Sequence, residues 1–223
     1  MNAALMMLID GRFPAGGHTN SAGVEAAVRI GDVYDDATLE RYLVGRLATT
    51  GMVDAAFCAH VAAFVDPTAE MLALVDAEYS ARVPSPKLRD ASRRFGRQML
   101  RAGSTVWRGP TLDLVARSAV GAHQPFVLGA LVAAAGGTPH DAASLSFHHL
   151  SAAVTSAAIR LLGLDPMSVA AVQATVGERV DVWVTQADRW ATSSPASLPA
   201  SGGSLTEILA EDHGRWDARL FVA

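Results

Sequence analysis

The sequence predicts an all-α fold: a single-domain helical bundle (residues 1–191), a flexible linker (192–204) and a C-terminal segment (205–223). Three observations carry this. Half of the 223 residues are hydrophobic and only 6% aromatic, with alanine dominating the apolar set, a composition that favours helix. Apolar residues recur at three- and four-residue spacing along most of the chain. Helix-starting polar residues, with Pro or Gly punctuation, separate those runs.

The elements follow in order. Ala3 to Ile9 is apolar, lacks a basic flank and is too short to span a bilayer, so it reads as a first helix packed on the domain. Gly11 to Gly31 is the stretch around which the rest is organised. A turn-forming Phe13-Pro14-Ala15-Gly16-Gly17 precedes the polar cluster His18-Thr19-Asn20-Ser21, whose oxygens can accept from the free N–H groups of a following helix, Val24 to Ile30. Gly31 fits the C′ position, where positive φ is needed. Asp35-Asp36-Ala37-Thr38 starts a helix carrying Leu39, Tyr42, Leu43, Arg46 and Leu47, which Gly51 interrupts. Met52 to Val65 reads as a buried helix stopped by Asp66-Pro67. Thr68 caps the next, with Glu70 in its first turn and Met71, Leu72, Leu74 and Val75 continuing it.

Pro84-Ser85-Pro86 breaks the chain and opens the helix Lys87 to Arg101. Leu88, Ala91, Phe95 and Met99 form its apolar stripe, and Ser92 and Gly96 admit a close neighbour. Arg89, Arg93, Arg97 and Arg101 recur every four residues as a basic stripe. That stripe reads either as a solvated face with scattered carboxylate pairs or as an electropositive docking strip for an acidic partner. His123-Gln124-Pro125 leads into a short buried helix, Phe126 to Ala135. Thr138, Pro139 and Asp141 supply a capping hydroxyl, a proline at N1 and an acid at N3 for a helix to Leu162. Phe147, Leu150, Val154, Ala157 and Leu161 mark its buried face. Its other positions are mostly Ala and Ser, as suits the centre of a bundle. Arg160 lies in an apolar setting and needs a partner if buried. Asp165-Pro166 restarts a helix through Val176. Glu178 to Trp190 fits strand or helix alike, and its helical surroundings decide for helix. Thr192 to Ser204, rich in Ser, Pro, Ala and Gly, reads as the linker. Ser204-Leu205-Thr206-Glu207 has the form of a capping box, and the chain runs out in Arg219-Leu220-Phe221-Val222-Ala223.

Several functions are disfavoured. The Gly11 loop lacks the lysine and hydroxyl of a P-loop, and the dinucleotide fingerprint does not fit. The net charge of −4 is unlike that of a nucleic-acid binder. No HxxxH, HExxH, CxxC or GxSxG pattern occurs, and the adjacent His148 and His149 diverge on a helix. Asp141, His148 and His149 could serve as acid and base, but nothing positions a nucleophile. The single cysteine, Cys58, excludes an internal disulfide, suits a reducing cytosol and sits in an apolar run that makes a thiol inert.

The wording of the organising loop is specific. Pro14-Ala15-Gly16-Gly17-His18-Thr19-Asn20-Ser21-Ala22-Gly23-Val24-Glu25-Ala26-Ala27-Val28 resembles the N-terminal signature of the urease accessory protein UreF family, roughly PIGGFSHSxGLExAV. The double glycine, Ser21, Gly23, Glu25 and Val28 match, while Ala15 and His18-Thr19-Asn20 depart. Further blocks fall in the family's order: Ala91-Ser92 with Gly96; His123, Pro125 and Gly129; Arg160, Leu161, Gly163 and Leu164; then Glu207, Ile208, Leu209, His213, Arg219, Leu220 and Phe221. Ala223 stands where the family ends in serine.

The resemblance implies a non-enzymatic, cytoplasmic accessory factor for urease maturation. Such a protein bridges the accessory protein UreD (also called UreH) and the GTPase UreG, regulates that GTPase and helps deliver nickel to apo-urease. GTP and nickel are carried by the partners, no cofactor is expected, and a homodimer is among the states the family adopts. By resemblance Glu25 is the candidate for gating GTPase contact, and Arg219 with Leu220 and Phe221 for partner docking. Arg160 is the candidate for a dimer or partner surface, and Arg89, Arg93 and Arg97 for an electropositive strip. Each has a structural alternative: a helix-end charge, a dipole partner or an internal ion pair. The competing function classes are a helical DNA-binding regulator using Arg89 to Arg101, although no helix-turn-helix signature occurs, and a small-molecule enzyme with a deep polar pocket.

Overall fold

The computed structural model describes residues 2–118 and 121–221. Val222 and Ala223, and with them the comparison with the family's terminal serine, lie outside the described residues, as does the side chain of His18. Among the described residues the regular structure is helical throughout: α1 (Ala3–Ile9), α2 (Val24–Arg29), α3 (Asp36–Arg46), α4 (Met52–Ala62), α5 (Ala69–Arg82), α6 (Pro86–Gly103), α7 (Pro110–Ala116), α8 (Gln124–Ala134), α9 (Pro139–Leu162), α10 (Pro166–Asp188) and α11 (Ser204–His213). The ambiguous stretch Glu178 to Trp190 is helical nearly to its end, as the second half of α10.

Helix α9 is the axis. It packs against α2, α4, α8 and α10, and its small side chains let those neighbours approach on several sides. Ala142 and Leu145 enter a core with Phe57, Val61, Phe126 and Leu131. Ala143, Phe147, Val154, Ala157 and Ala158 enter a second core with Leu39, Leu43, Val169 and Val184. The adjacent pair Ala142 and Ala143 thus serves both, because neighbouring helical residues point about 100° apart. Each fully buried Phe or Leu contributes about 1.5–3 kcal/mol. Thr138 and Asp141 form the expected capping box at the start of α9.

Local signals mostly hold. Asp35 caps α3, Thr68 caps α5, Ser85 caps α6, and Gly31 follows α2 at φ +78°. Gly96 lets α6 lie against the α7–α8 connection. A Cβ there would collide with the Ala122 carbonyl oxygen, and beside it the Ser92 hydroxyl accepts from the Gln124 N–H at 3.2 Å.

Four expectations are corrected. Gly51 does not interrupt a helix. A single π turn, Leu47–Gly51, joins α3 directly to α4, so the backbone donors stay paired and Gly51 is buried against Leu150. Helix α4 ends at Ala62, not Val65, before a turn in which Asp66 takes φ +47°. The stretch Thr192 to Ser204 is not free chain along its length. Arg82 donates to the carbonyls of Pro195, Ala196, Leu198 and Pro199, and Leu198 is 3% exposed in the core. A sequence rich in Ser and Pro leaves its carbonyls unpaired, and a distant arginine collects them. Finally, Ser204 to Glu207 forms no capping box. Gly203 is the N-cap, and Glu207 turns away to accept the Ser85 N–H at 2.6 Å.

Candidate partner-docking site

The organising loop and the chain's end meet. Asn20 Oδ1 accepts from the Ala22 N–H at 2.8 Å and Ser21 Oγ from the Gly23 N–H at 3.3 Å, in the turn before α2, whose N-cap is Gly23 (φ +86°) and which lacks the side-chain cap expected from this cluster. Glu25, in the first turn of α2, is buried, at 8% exposed. Its carboxylate accepts from the Leu220 N–H at 2.7 Å, from the Phe221 N–H at 3.2 Å and from His213 Nε2 at 2.7 Å. A buried carboxylate is tolerated when charge-assisted donors surround it, and its place in the first turn adds the helix dipole.

The C-terminal segment is fastened further by its own side chains. Phe221 is 3% exposed in the second core, with the Arg160 guanidinium 4.6 Å above its ring. The Trp216 indole N–H donates to Asp212 at 2.9 Å, and Arg29 lies 3.9 Å over the Trp216 ring. Leu220 is 65% exposed and Arg219 is exposed, with one long contact to the His213 carbonyl at 3.5 Å.

This geometry re-sorts the candidates. Glu25 and Phe221 are interior groups of a clasp, not surface contacts, because backbone donors from the other end of the chain satisfy the carboxylate. Arg160 is exposed, and its guanidinium lies over the Phe221 ring. Arg219 and Leu220 remain at the surface. The basic stripe is not continuous. Arg89 donates to the carbonyls of Val83 and Pro84, and Arg93 grips Asp76 with a two-pronged pair at 2.8 and 2.9 Å. Arg97 stays exposed, with no hydrogen bond or ion pair to a described residue. The DNA-binding reading therefore loses half of the stripe it needed.

Sequence reasoning missed a second polar feature. A cavity of about 130 Å³ is lined by Arg46, Thr50, Asp54, Tyr79, Ser92 and Glu207 among others. The Tyr79 hydroxyl donates to Asp54 at 2.6 Å, and burial pushes the Asp54 carboxyl up to about 6. Burial also raises Glu207. Arg46, the last residue of α3, and Thr50, in the π turn, both reach this wall.

His60, His123 and His149 make internal contacts. His60 Nδ1 donates to the Ala191 carbonyl and His149 Nε2 to that of Leu8, and burial lowers His149 to about 4. His123, pressed on Tyr79 and Phe126, is driven by burial to about 3. Among the described residues no group of three His, Cys, Asp or Glu side chains could hold a metal ion. The Cys58 thiol donates to the Ala142 carbonyl, and burial pushes it well above the ordinary thiol range. No described helix is long and apolar enough to cross a membrane.

What the fold presents is a helical body with a clasped tail and charged and apolar groups at the surface. That defines an all-α protein whose two ends are joined around one buried carboxylate. Comparison with known proteins gives the family. The UreF family model matches residues 33–177. The chain is 36% identical over 219 residues to the urease accessory protein UreF of Mycobacterium sp. (strain JLS), covering 98% of this chain and 97% of that one. It is 37% identical over 222 residues to that of Mycolicibacterium vanbaalenii, covering 99% and 98%, and 33% identical over 225 residues to that of Mycobacterium marinum, again 99% and 98%. The chain belongs to the urease accessory protein UreF family, a family of accessory proteins and not of enzymes.

Proposed function

We propose that this protein is a cytoplasmic scaffold for urease maturation. It joins a UreD-type (UreH-type) accessory protein to a UreG-type GTPase, modulates that GTPase and brings both to apo-urease. Nickel enters this reading as cargo and GTP as the GTPase's own ligand. The observation that supports it is the Glu25 clasp. The two blocks that most resemble the family, at opposite ends of the chain, meet around one carboxylate. Glu25 then acts on a partner indirectly. It holds Phe221 in the core and so presents Arg219 and Leu220 in a fixed place, which lowers the ordering cost of docking.

The test is co-elution by size exclusion with light scattering, using cognate UreD-type and UreG-type proteins. The full chain is expected to form a complex. A chain ending at Ala200 is expected to lose it, and Glu25→Gln to weaken it. A full chain that stays unbound while well folded overturns the scaffold reading. Retention by the truncated chain moves docking to the helical body.

A further inference from the structure

Between α6, α2 and the end of α11 lies an open cleft of about 290 Å³. Lys87, Arg94 and Arg97 line it from α6 and Arg219 from the C-terminal segment, against one carboxylate, Asp90. All four cations are exposed, and Arg94 and Arg97 make no hydrogen bond or ion pair with any described residue. The chain as a whole carries a net charge of −4, so this is a local reversal of sign that long-range charge does not explain. It also differs from the stripe expected at four-residue spacing. Arg89 and Arg93 are bonded internally, whereas Arg94 and Lys87 project into the cleft beside Arg97.

We infer that this cleft is a docking site for an acidic segment of a partner protein, seating carboxylate side chains among Arg94, Arg97 and Lys87. The inference rests on the scaffold reading and names the chemistry of one of its contacts. Planar guanidinium groups match carboxylates in two-pronged geometry. The floor is apolar, with Ala26, Leu88 and Ala91, and so offers burial to neighbouring side chains of a peptide. Phosphate fits less well. An oxyanion at a helix start needs free backbone N–H groups, and those of α6 are taken: Lys87 N–H by Glu211, Leu88 N–H by the Ser85 hydroxyl. Nucleic acid needs a longer basic track, which Arg89 and Arg93 do not extend.

The test is fluorescence anisotropy with the full chain at low salt and a short fluorescein-labelled peptide alternating glutamate and leucine. Saturable binding that weakens with added salt is expected. Arg94→Glu combined with Arg97→Glu is expected to weaken it at least about tenfold, with an unchanged helical circular dichroism spectrum, since neither side chain holds the fold. Arg101→Glu, exposed on the same helix outside the cleft, is expected to leave it unchanged. Absence of saturable binding overturns the inference. So does an equal loss in Arg101→Glu, which would mark general surface charge. Displacement by inorganic phosphate or duplex DNA at lower concentration than by unlabelled glutamate peptide also overturns it. Co-elution separates this from the scaffold reading. If the full chain binds its partners and the double charge reversal binds them equally well, the cleft assignment fails and the scaffold stands. If the full chain binds neither partner, the scaffold fails, and the peptide titration alone decides the cleft.

Discussion

Replacing Glu25 with Gln tests the clasp with little change of shape. The carboxylate takes three donors, two backbone and one imidazole. An amide offers a single acceptor oxygen, and its NH₂ group faces at least one of those donors head-on. Hydrogen bonds to a charged group are worth about 1.5–3 kcal/mol each, and a buried donor left unpaired costs about 1–3 kcal/mol. The local penalty is therefore several kcal/mol if the tail stays in place. The tail has another option. It can leave, giving up the burial of Phe221 at about 1.5–3 kcal/mol and regaining chain entropy at about 1–2 kcal/mol per residue. Release is the cheaper outcome, so the effect is local. Hydrogen exchange with mass spectrometry on a peptide covering residues 214–221 is expected to show at least about tenfold loss of protection, a change of about 1.4 kcal/mol. Peptides from α4 and α9 are expected to keep theirs. Unchanged protection of the tail refutes the clasp, and an equal loss in α4 and α9 refutes its local character.

Two further predictions follow from groups outside the clasp. Arg82→Met removes the donors for four carbonyls of the 195–199 strap and the partner of Glu78. A loss of about 2–4 kcal/mol is expected in urea unfolding, with new protease cutting near Pro195. Asp54 is held near 6 against an ordinary 3.8 by burial, so its neutral form favours the folded state. Its stabilising contribution is complete below about pH 4 and is lost as pH rises through about 6. The stability difference between the wild type and Asp54→Asn is therefore expected to shift against the wild type across that window. A flat difference shows that Asp54 stays ionised in the fold.

The helices were legible because their starts are local. Asp35, Thr68, Ser85 and Thr138 each bond backbone donors within three residues, and a composition rich in alanine leaves no competing strand. The periodicity of α6 correctly gave its buried stripe of Ala91, Phe95 and Met99. It gave the basic stripe without the partners. Arg93 meets Asp76 on α5, a contact that no spacing rule contains. The Gly51 break failed for a similar reason. A glycine favours a stop only where the backbone must find new partners, and here a π turn keeps them paired while Leu150 packs over the bare backbone.

The amino-acid sequence by itself determined the helical class, most helix starts, the central position of α9 and the family, because caps, periodicity and ordered motif blocks are properties of neighbouring residues. Only the tertiary structure decided what the charged groups do. Glu25 is an anchor for residues nearly two hundred positions away, Arg82 is a clamp on a strap that reads as linker, and Arg94 and Lys87 belong to a cleft while Arg89 and Arg93 do not. A charge acts on whatever the fold brings within a few ångströms, and that neighbour is set by packing and not by position along the chain.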